Sequence, residues 1–279
     1  MTVVRRSDEG DATSSLTLTV LGCRAGAPDA TSACSGYLLT SVAGTILVDC
    51  GPGVAVALAQ AGMRDAVDAV VVTHIHADHS LDLVALAYGQ GFPEPQSERL
   101  PLWLPEASLD YVRQLDEVFG IPSRSDLTHP VSQAFEVKPL RLDGVTSWEV
   151  VSGVRMTAYA ARHAAPSAAL RFSTPTGTIS FSSDTGWTQP VIEAATNADI
   201  FVCEATYLEA SQQELEGYGH LTAELAGKMA TRAAARHLVL THLSRWRDAD
   251  VALDRAGRAA PDLPAVSLAQ PGATWTVGA

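Results

Sequence analysis

Short apolar runs, separated by turn residues, set the pattern of this chain. Residues 16–21 alternate apolar and polar side chains, the period of a half-buried β-strand. Two further short runs, 36–40 and 45–48, lie either side of Gly44 and predict paired strands. Residues 22–35 between these runs are rich in Gly, Ala, Pro and Ser and read as a loop. A turn over 49–53 leads into helical composition over 54–61, and the apolar run 68–72 predicts a buried strand. Helices are predicted over 80–88, with Ser80 as N-cap, and over 108–119, with Leu109, Val112, Leu115 and Val118 on one face. Residues 91–105 are Pro-rich and read as irregular, and 120–147 suggest only a short insertion near a site. The second half repeats the style of the first. Strands are predicted over 154–160, 168–173, 178–182, 200–203, 237–241 and 274–277, and helices over 191–196 and 223–235.

Two strand-rich halves, each followed by helices, predict an α/β (α+β) protein with two sheets packed face to face and helices outside. No linker separates independent domains, so residues 16–279 read as one domain. Residues 1–15 are polar, lack the apolar core of a secretory signal, and are expected to be disordered.

Composition narrows the partners. Of 279 residues 47% are hydrophobic, enough for a large core, and the net charge is −12. Lys138 and Lys228 are the only lysines, and no basic run occurs. Affinity for a phosphate backbone comes mainly from Lys and Arg, so long nucleic acid is a poor candidate partner. No membrane-spanning apolar stretch is present. Cys23, Cys34, Cys50 and Cys203 form no paired spacing, and Cys50 and Cys203 end apolar runs as buried thiols. The expectation is a cytoplasmic protein.

The chemistry sits at strand ends. Directly after the run 68–72 comes Thr73-His74-Ile75-His76-Ala77-Asp78-His79. Neutral imidazole and carboxylate are ligands for zinc, manganese and iron. His163, Asp184 and His242 each lie just beyond another predicted strand, so the same end of the fold gathers further ligand types. His129, beside Pro130 in a polar loop, reads as solvated.

These motifs resemble the metallo-β-lactamase superfamily, and within it the ribonuclease Z-like branch. The resemblance rests on Leu47-Val48-Asp49-Cys50-Gly51, the His74 to His79 cluster, His163, Ser183-Asp184-Thr185-Gly186, Cys203-Glu204-Ala205-Thr206, Gly219-His220-Leu221-Thr222-Ala223-Glu224 and Leu240-Thr241-His242-Leu243. It implies a four-layered αββα sandwich and two divalent ions, zinc first, manganese or iron as alternatives. His74, His76, His163 and Asp184 would hold one ion. Asp78, His79, His242 and a bridging Asp184 would hold the other. Leu21 to Pro28 and Ser35 to Leu39 are similar to actinobacterial cyclic nucleotide phosphodiesterase-type members. The branch also implies a homodimer. Its transfer-RNA-processing members carry a long basic arm, and residues 89–105 are too short and not basic. β-Lactamases of the superfamily commonly place Cys where Asp184 stands here.

The implied reaction is hydrolysis of a small anionic diester, such as a cyclic nucleotide, by hydroxide shared between the metals. Asp78 would orient the water or take its proton. His220, before a helix capped by Thr222, would bind phosphate, protonate the leaving alkoxide, or merely cap. Asp49 and Glu204 are candidates to hold metal-bound imidazoles, or simply turn residues. Arg162, Arg171, Arg245 and Arg247 are candidate phosphate contacts or solvated surface. Trp246 would stack on a base or pack. The same centre would also serve lactones, thioesters or aryl sulfates. An iron redox enzyme and a non-catalytic binding module remain weaker alternatives, the second because a binding module has no need of a full ligand set.

Overall fold

A computed structural model of the protein describes residues 15–91 and 98–278. The segment expected to be disordered, 1–15, lies outside the described residues apart from Ser15. Among the described residues, one sheet has eight strands. Its order is Thr274–Val277, Leu16–Arg24, Gly36–Ser41, Gly44–Val48, Ala69–Val71, Leu100–Pro105, Phe135–Leu140, with Ala33–Cys34 paired to the side of Leu16–Arg24. The other has seven, in the order Ala265–Leu268, His237–Thr241, Ile200–Glu204, Thr178–Phe181, Ala168–Ser173, Val154–Ala160, Asp143–Val151.

Both sheets obey one plan. Each begins with antiparallel hairpins and then turns parallel, at Gly44–Val48 with Ala69–Val71 and at Thr178–Phe181 with Ile200–Glu204. Parallel neighbours need a crossover, and helices supply it on the outer faces. Alternation along each strand then builds the layers. Ile46 and Val48 point into the core between the sheets, whereas Leu47 points out beneath the helices. Val202 and Val239 likewise face inward, and Phe201, Leu238 and Leu240 face Ile192, Met229 and Ala230 on the other outer layer. Inner core and two outer cores make the four-layered αββα sandwich.

Several elements depart from expectation. Leu100–Pro105 is a strand, not irregular chain; Pro101 and Pro105 stand within one residue of its ends, where a missing N–H costs least. The uncertain stretch 120–147 holds the helix Pro130–Ala134 and the strand Phe135–Leu140, and opens the strand Asp143–Val151. These are sheet-edge elements, not an insertion at the site. The helix Asp110–Phe119 buries Val112 and Leu115, but Val118 is 72% exposed. A series taken only at every third residue drifts about 60° per step on an α-helix, half a turn between 109 and 118. Ser80 is not an N-cap. It ends a short helix, Ala77–Ser80, and its hydroxyl donates to Ile75 O and His76 O. Gln212–Tyr218, Ala249–Ala259 and Ala265–Leu268 were not anticipated.

The loop carrying the histidines is packed against the turn at Gly51. A Cβ on Gly51 would fall 2.0 Å from Asp78 O. Gly51→Ala is expected to cost about 1–3 kcal/mol by overpacking. Gly257→Ala, in the helix Ala249–Ala259 where an added Cβ meets nothing within 4 Å, is expected to stabilise by about 0.5–1 kcal/mol. Urea unfolding of the two variants checks the opposite signs.

Candidate metal centre

Strand ends on both sheets meet at one edge of the sandwich. Three of them turn through the left-handed region at non-glycine residues: Asp49 (φ 60°), Ser183 (φ 54°) and His242 (φ 59°). Such conformations cost about 1–3 kcal/mol each and persist only where the surroundings fix them. Two of the three are candidate site residues, and the third precedes Asp184.

Seven side chains converge there. His76 Nδ1 lies 3.1 Å from His74 Nε2 and 3.0 Å from His163 Nε2. His242 Nε2 lies 3.2 Å from His79 Nε2 and 3.1 Å from Asp78 Oδ2. Asp184 stands between the two groups. Its Oδ1 is 3.3 Å from His79 Nε2 and 3.4 Å from His242 Nε2, and its Oδ2 is 3.7 Å from His74 Nε2 and 3.9 Å from His163 Nε2. Each set of four, His74 with His76, His163 and Asp184, and Asp78 with His79, Asp184 and His242, offers ligand atoms within 4.8 Å of one another.

Hydrogen bonds behind the rings fix where the protons go. His79 Nδ1 donates to Asp49 Oδ2 at 2.7 Å, and His163 Nδ1 donates to Gly219 O at 3.1 Å. The Thr73 hydroxyl donates to Asp49 Oδ2 (3.0 Å), so only its lone pairs face His74 Nδ1 at 3.2 Å. Thr206 repeats the pattern: it donates to Glu204 Oε2 (2.6 Å) and accepts from His242 Nδ1 (2.9 Å). With the protons turned outward, the inward nitrogens of His74, His79, His163 and His242 present lone pairs. The facing lone pairs of His79 and His242 make no hydrogen bond with one another, and buried Asp184 Oδ1 has no hydrogen-bond partner. A cation satisfies all of these atoms together, and hard carboxylate with borderline imidazole is the donor set of a divalent metal.

The electrostatics agree. Burial holds the His74 imidazole well below the usual histidine range. Burial would also lower His79, but the Asp184 and Asp49 carboxylates override it and raise that group well above its ordinary value. Burial would raise Asp184, but His242 and His79 beside it keep its carboxyl well below the usual range. A potential that draws a proton onto His79 equally draws a metal ion.

Comparison with known proteins gives the family. The family described as beta-lactamase superfamily domain matches residues 44–243, from the strand Gly44–Val48 to the residue after His242. The chain belongs to the β-lactamase superfamily. It is a metal-dependent hydrolase of that superfamily. A similar curated relative is the probable metallo-hydrolase YhfI of Bacillus subtilis, 28% identical over 82% of this chain and 87% of the relative. The crystal structure of YhfI superposes with a TM-score of 0.78 over 93% of this chain and 99% of that one, at 26% identity. Ribonuclease Z of Myxococcus xanthus is 27% identical over 84% of this chain and 89% of the relative. At the level of fold, a diphosphatase of the PhnP family superposes with a TM-score of 0.66 over 94% of this chain and 97% of that one, at 19% identity.

In this superfamily member, the supporting acids prove to be the busiest groups of the site. Asp49 takes Thr73 N (2.8 Å), the Thr73 hydroxyl and His79. Glu204 takes Thr185 N (2.7 Å), Leu221 N (3.1 Å), the Thr206 hydroxyl and His220 Nδ1 (2.9 Å). Asp49 thus backs His79 from the turn it occupies, and Glu204 backs His220 and the Thr206 hydroxyl. Gly26 N, in the first loop, donates to Asp78 Oδ2 at 2.7 Å, a contact that nothing in its spacing foretells. Arg171 is elsewhere, donating to Ala194 O and Thr196 O at the end of the helix Gln189–Ala195. Arg245 and Arg247 are exposed. Trp246 packs under the Arg24 guanidinium, 4.1 Å from its ring centre. His129 is exposed, as expected. Thr222 caps the helix Ala223–Arg232 by accepting from Leu225 N.

Asp49→Asn keeps the shape but removes the charge that polarises His79. Metal affinity is expected to fall by about 10–100-fold. Competition with a chromophoric chelator, alongside an unchanged circular dichroism spectrum, checks it.

Proposed function

We propose that the protein is a dinuclear metal-dependent phosphodiesterase acting on a small anionic diester, of which a cyclic nucleotide is the leading case. His74, His76, His163 and Asp184 would hold one ion, and Asp78, His79, His242 and Asp184 the other, with zinc favoured by the imidazole-rich set. Bound there, the ions supply Lewis-acid clamping of a phosphoryl oxygen and hydroxide near neutral pH.

The observation that carries the reading is His220. Its ring lies 4.8 Å from that of His163 and stacks 5.9 Å from that of His242, so it borders both ligand sets. Its Nδ1 is committed to Glu204, which leaves Nε2 free to serve a substrate. Burial alone would lower its pKa, but the bonded Glu204 carboxylate raises it above the ordinary histidine value. A cationic imidazole here holds a proton for a leaving oxygen. That proton matters most when an alkoxide departs, as from an alkyl phosphodiester, and least when a thiolate does. Asp78, anchored by Gly26 N and facing His242, contributes through coordination and orientation.

Other observations lean the same way. The names ribonuclease and diphosphatase, carried by one relative and one protein of the same fold above, both denote cleavage at phosphorus. A net charge of −12 with no basic run disfavours a long polyanion. The described cysteines are all free thiols, which fits a reducing, cytoplasmic setting. No described helix is long and apolar enough to cross a membrane.

Metal-replete protein is expected to turn over cyclic nucleotides or alkyl p-nitrophenyl phosphodiesters. Turnover of a lactone, thioester or aryl sulfate with none of any phosphodiester would reassign the bond. His220→Ala is expected to lower kcat by about 10²–10⁴-fold while metal content stays normal. Unchanged turnover in that variant would remove His220 as the acid.

A further inference from the structure

Arg162 adjoins His163 yet points its charge elsewhere. Its Nη1 donates to Glu216 O at 3.3 Å and its Nη2 to Leu215 O at 3.2 Å. These carbonyls belong to the last turn of the helix Gln212–Tyr218, where Leu215 O also accepts from Gly219 N at 3.3 Å. No carboxylate pairs with Arg162 among the described residues, and its buried Nε has no hydrogen-bond partner. A buried orphan donor on a cation is costly and calls for a reason.

The helix it grips explains the need. Gln212–Tyr218 buries none of its residues, so apolar packing does not hold it. A capping box at Ser211 closes its start, and Arg255 ties the preceding segment through Leu208 O (2.8 Å) and Glu209 (2.6 Å). Its far end passes through Gly219, in the left-handed region at φ 65°, directly into His220. Arg162 itself is anchored to the Asp184 side. Its N donates to Thr185 Oγ1 at 3.1 Å, and its O accepts from Gly186 N at 2.8 Å. The guanidinium lies over Gly186, where a Cβ would come within 2.2 Å of Nη2.

We propose that Arg162 is a positioning residue for His220: its grip on the carbonyls of Leu215 and Glu216 fixes how far the Gly219–His220 turn reaches over the ligand cluster. His163 makes the parallel tie to Gly219 O, so neighbouring side chains clamp both sides of that turn. Arg162 touches no reacting atom. The inference rests on the reading of His220 as the proton donor.

The test uses full-length, metal-loaded protein carrying Arg162→Gln and, separately, Gly186→Ala, which displaces the same guanidinium while leaving it present. Two phosphodiesters are compared, one releasing an alkoxide and one releasing p-nitrophenolate, which needs little protonation. Both variants are expected to lose on the order of 10²-fold in kcat on the alkoxide substrate, with a much smaller loss on the other and unchanged metal content. Arg162→Gln combined with His220→Ala is expected to be no slower than His220→Ala alone. Amide hydrogen exchange is expected to rise over 212–220 and stay unchanged over the strand His237–Thr241. Equal losses on both substrates, additive losses in the double variant, lost metal, or unchanged exchange over 212–220 would each overturn the proposal. If the wild type cleaves no phosphodiester, the diester reading fails by itself; the exchange comparison still decides whether Arg162 holds the turn.

Discussion

The centre depends on protons being turned away from it. The Nε2 atoms of His79 and His242, brought to 3.2 Å, repel as lone pairs unless something positive lies between them. The fold enforces this arrangement through acceptors placed behind the rings. Asp49 and the Thr73 hydroxyl serve His79 and His74, Gly219 O serves His163, and the Thr206 hydroxyl serves His242. Both threonine hydroxyls are themselves committed as donors to a carboxylate, so neither can donate to the ring it faces. One layer of buried acids thus sets the tautomers of the layer above it.

Those acids are placed by the symmetry of the two sheets. Asp49 follows the strand Gly44–Val48 and Glu204 ends the strand Ile200–Glu204, each at the C-terminal end of a strand in the parallel part of its sheet. Open α/β sheets collect their ligands at that end of their strands. Both acids are nearly sealed from solvent, at 2% and 1% exposure. A buried carboxylate survives only if donors surround it. Here the donors are the N–H and hydroxyl groups of the loops that carry the site, so desolvating the acids and ordering those loops are the same event. The left-handed backbone at Asp49, Ser183 and His242 is sustained by this network.

What could be read in the sequence follows from how local each feature is. His74, His76, Asp78 and His79 share one loop, so their convergence needs only a strand before them. His163, Asp184 and His242 were legible because each follows an apolar run, and strand ends of one sheet side lie together. The partition of Asp184 between two ligand sets was implied by family resemblance alone. Glu204 could be named but not characterised, because its donors come from Thr185, Thr206, His220 and Leu221, on three separate segments. Trp246 was ambiguous for the same reason: its partner, Arg24, is distant in sequence. Leu100–Pro105 was obscured by its prolines, and Gln212–Tyr218 by the absence of any buried face from which a helical period could be read.

Charge then decides what the centre can accept. The protein carries a net −12, and Asp49, Asp78, Asp184 and Glu204 cluster at one point of it. An anionic diester approaching these four carboxylates alone would be repelled over the distance that salt leaves unscreened. On the dinuclear reading, two divalent ions carry as many positive charges as these carboxylates carry negative ones. The balance at the mouth is then tipped by His220, whose proton is held by Glu204. On that reading, metal loading and anion recognition are one electrostatic event. The site attracts its proposed substrate only after the acids that built it have been neutralised, and a single protonated imidazole supplies the excess.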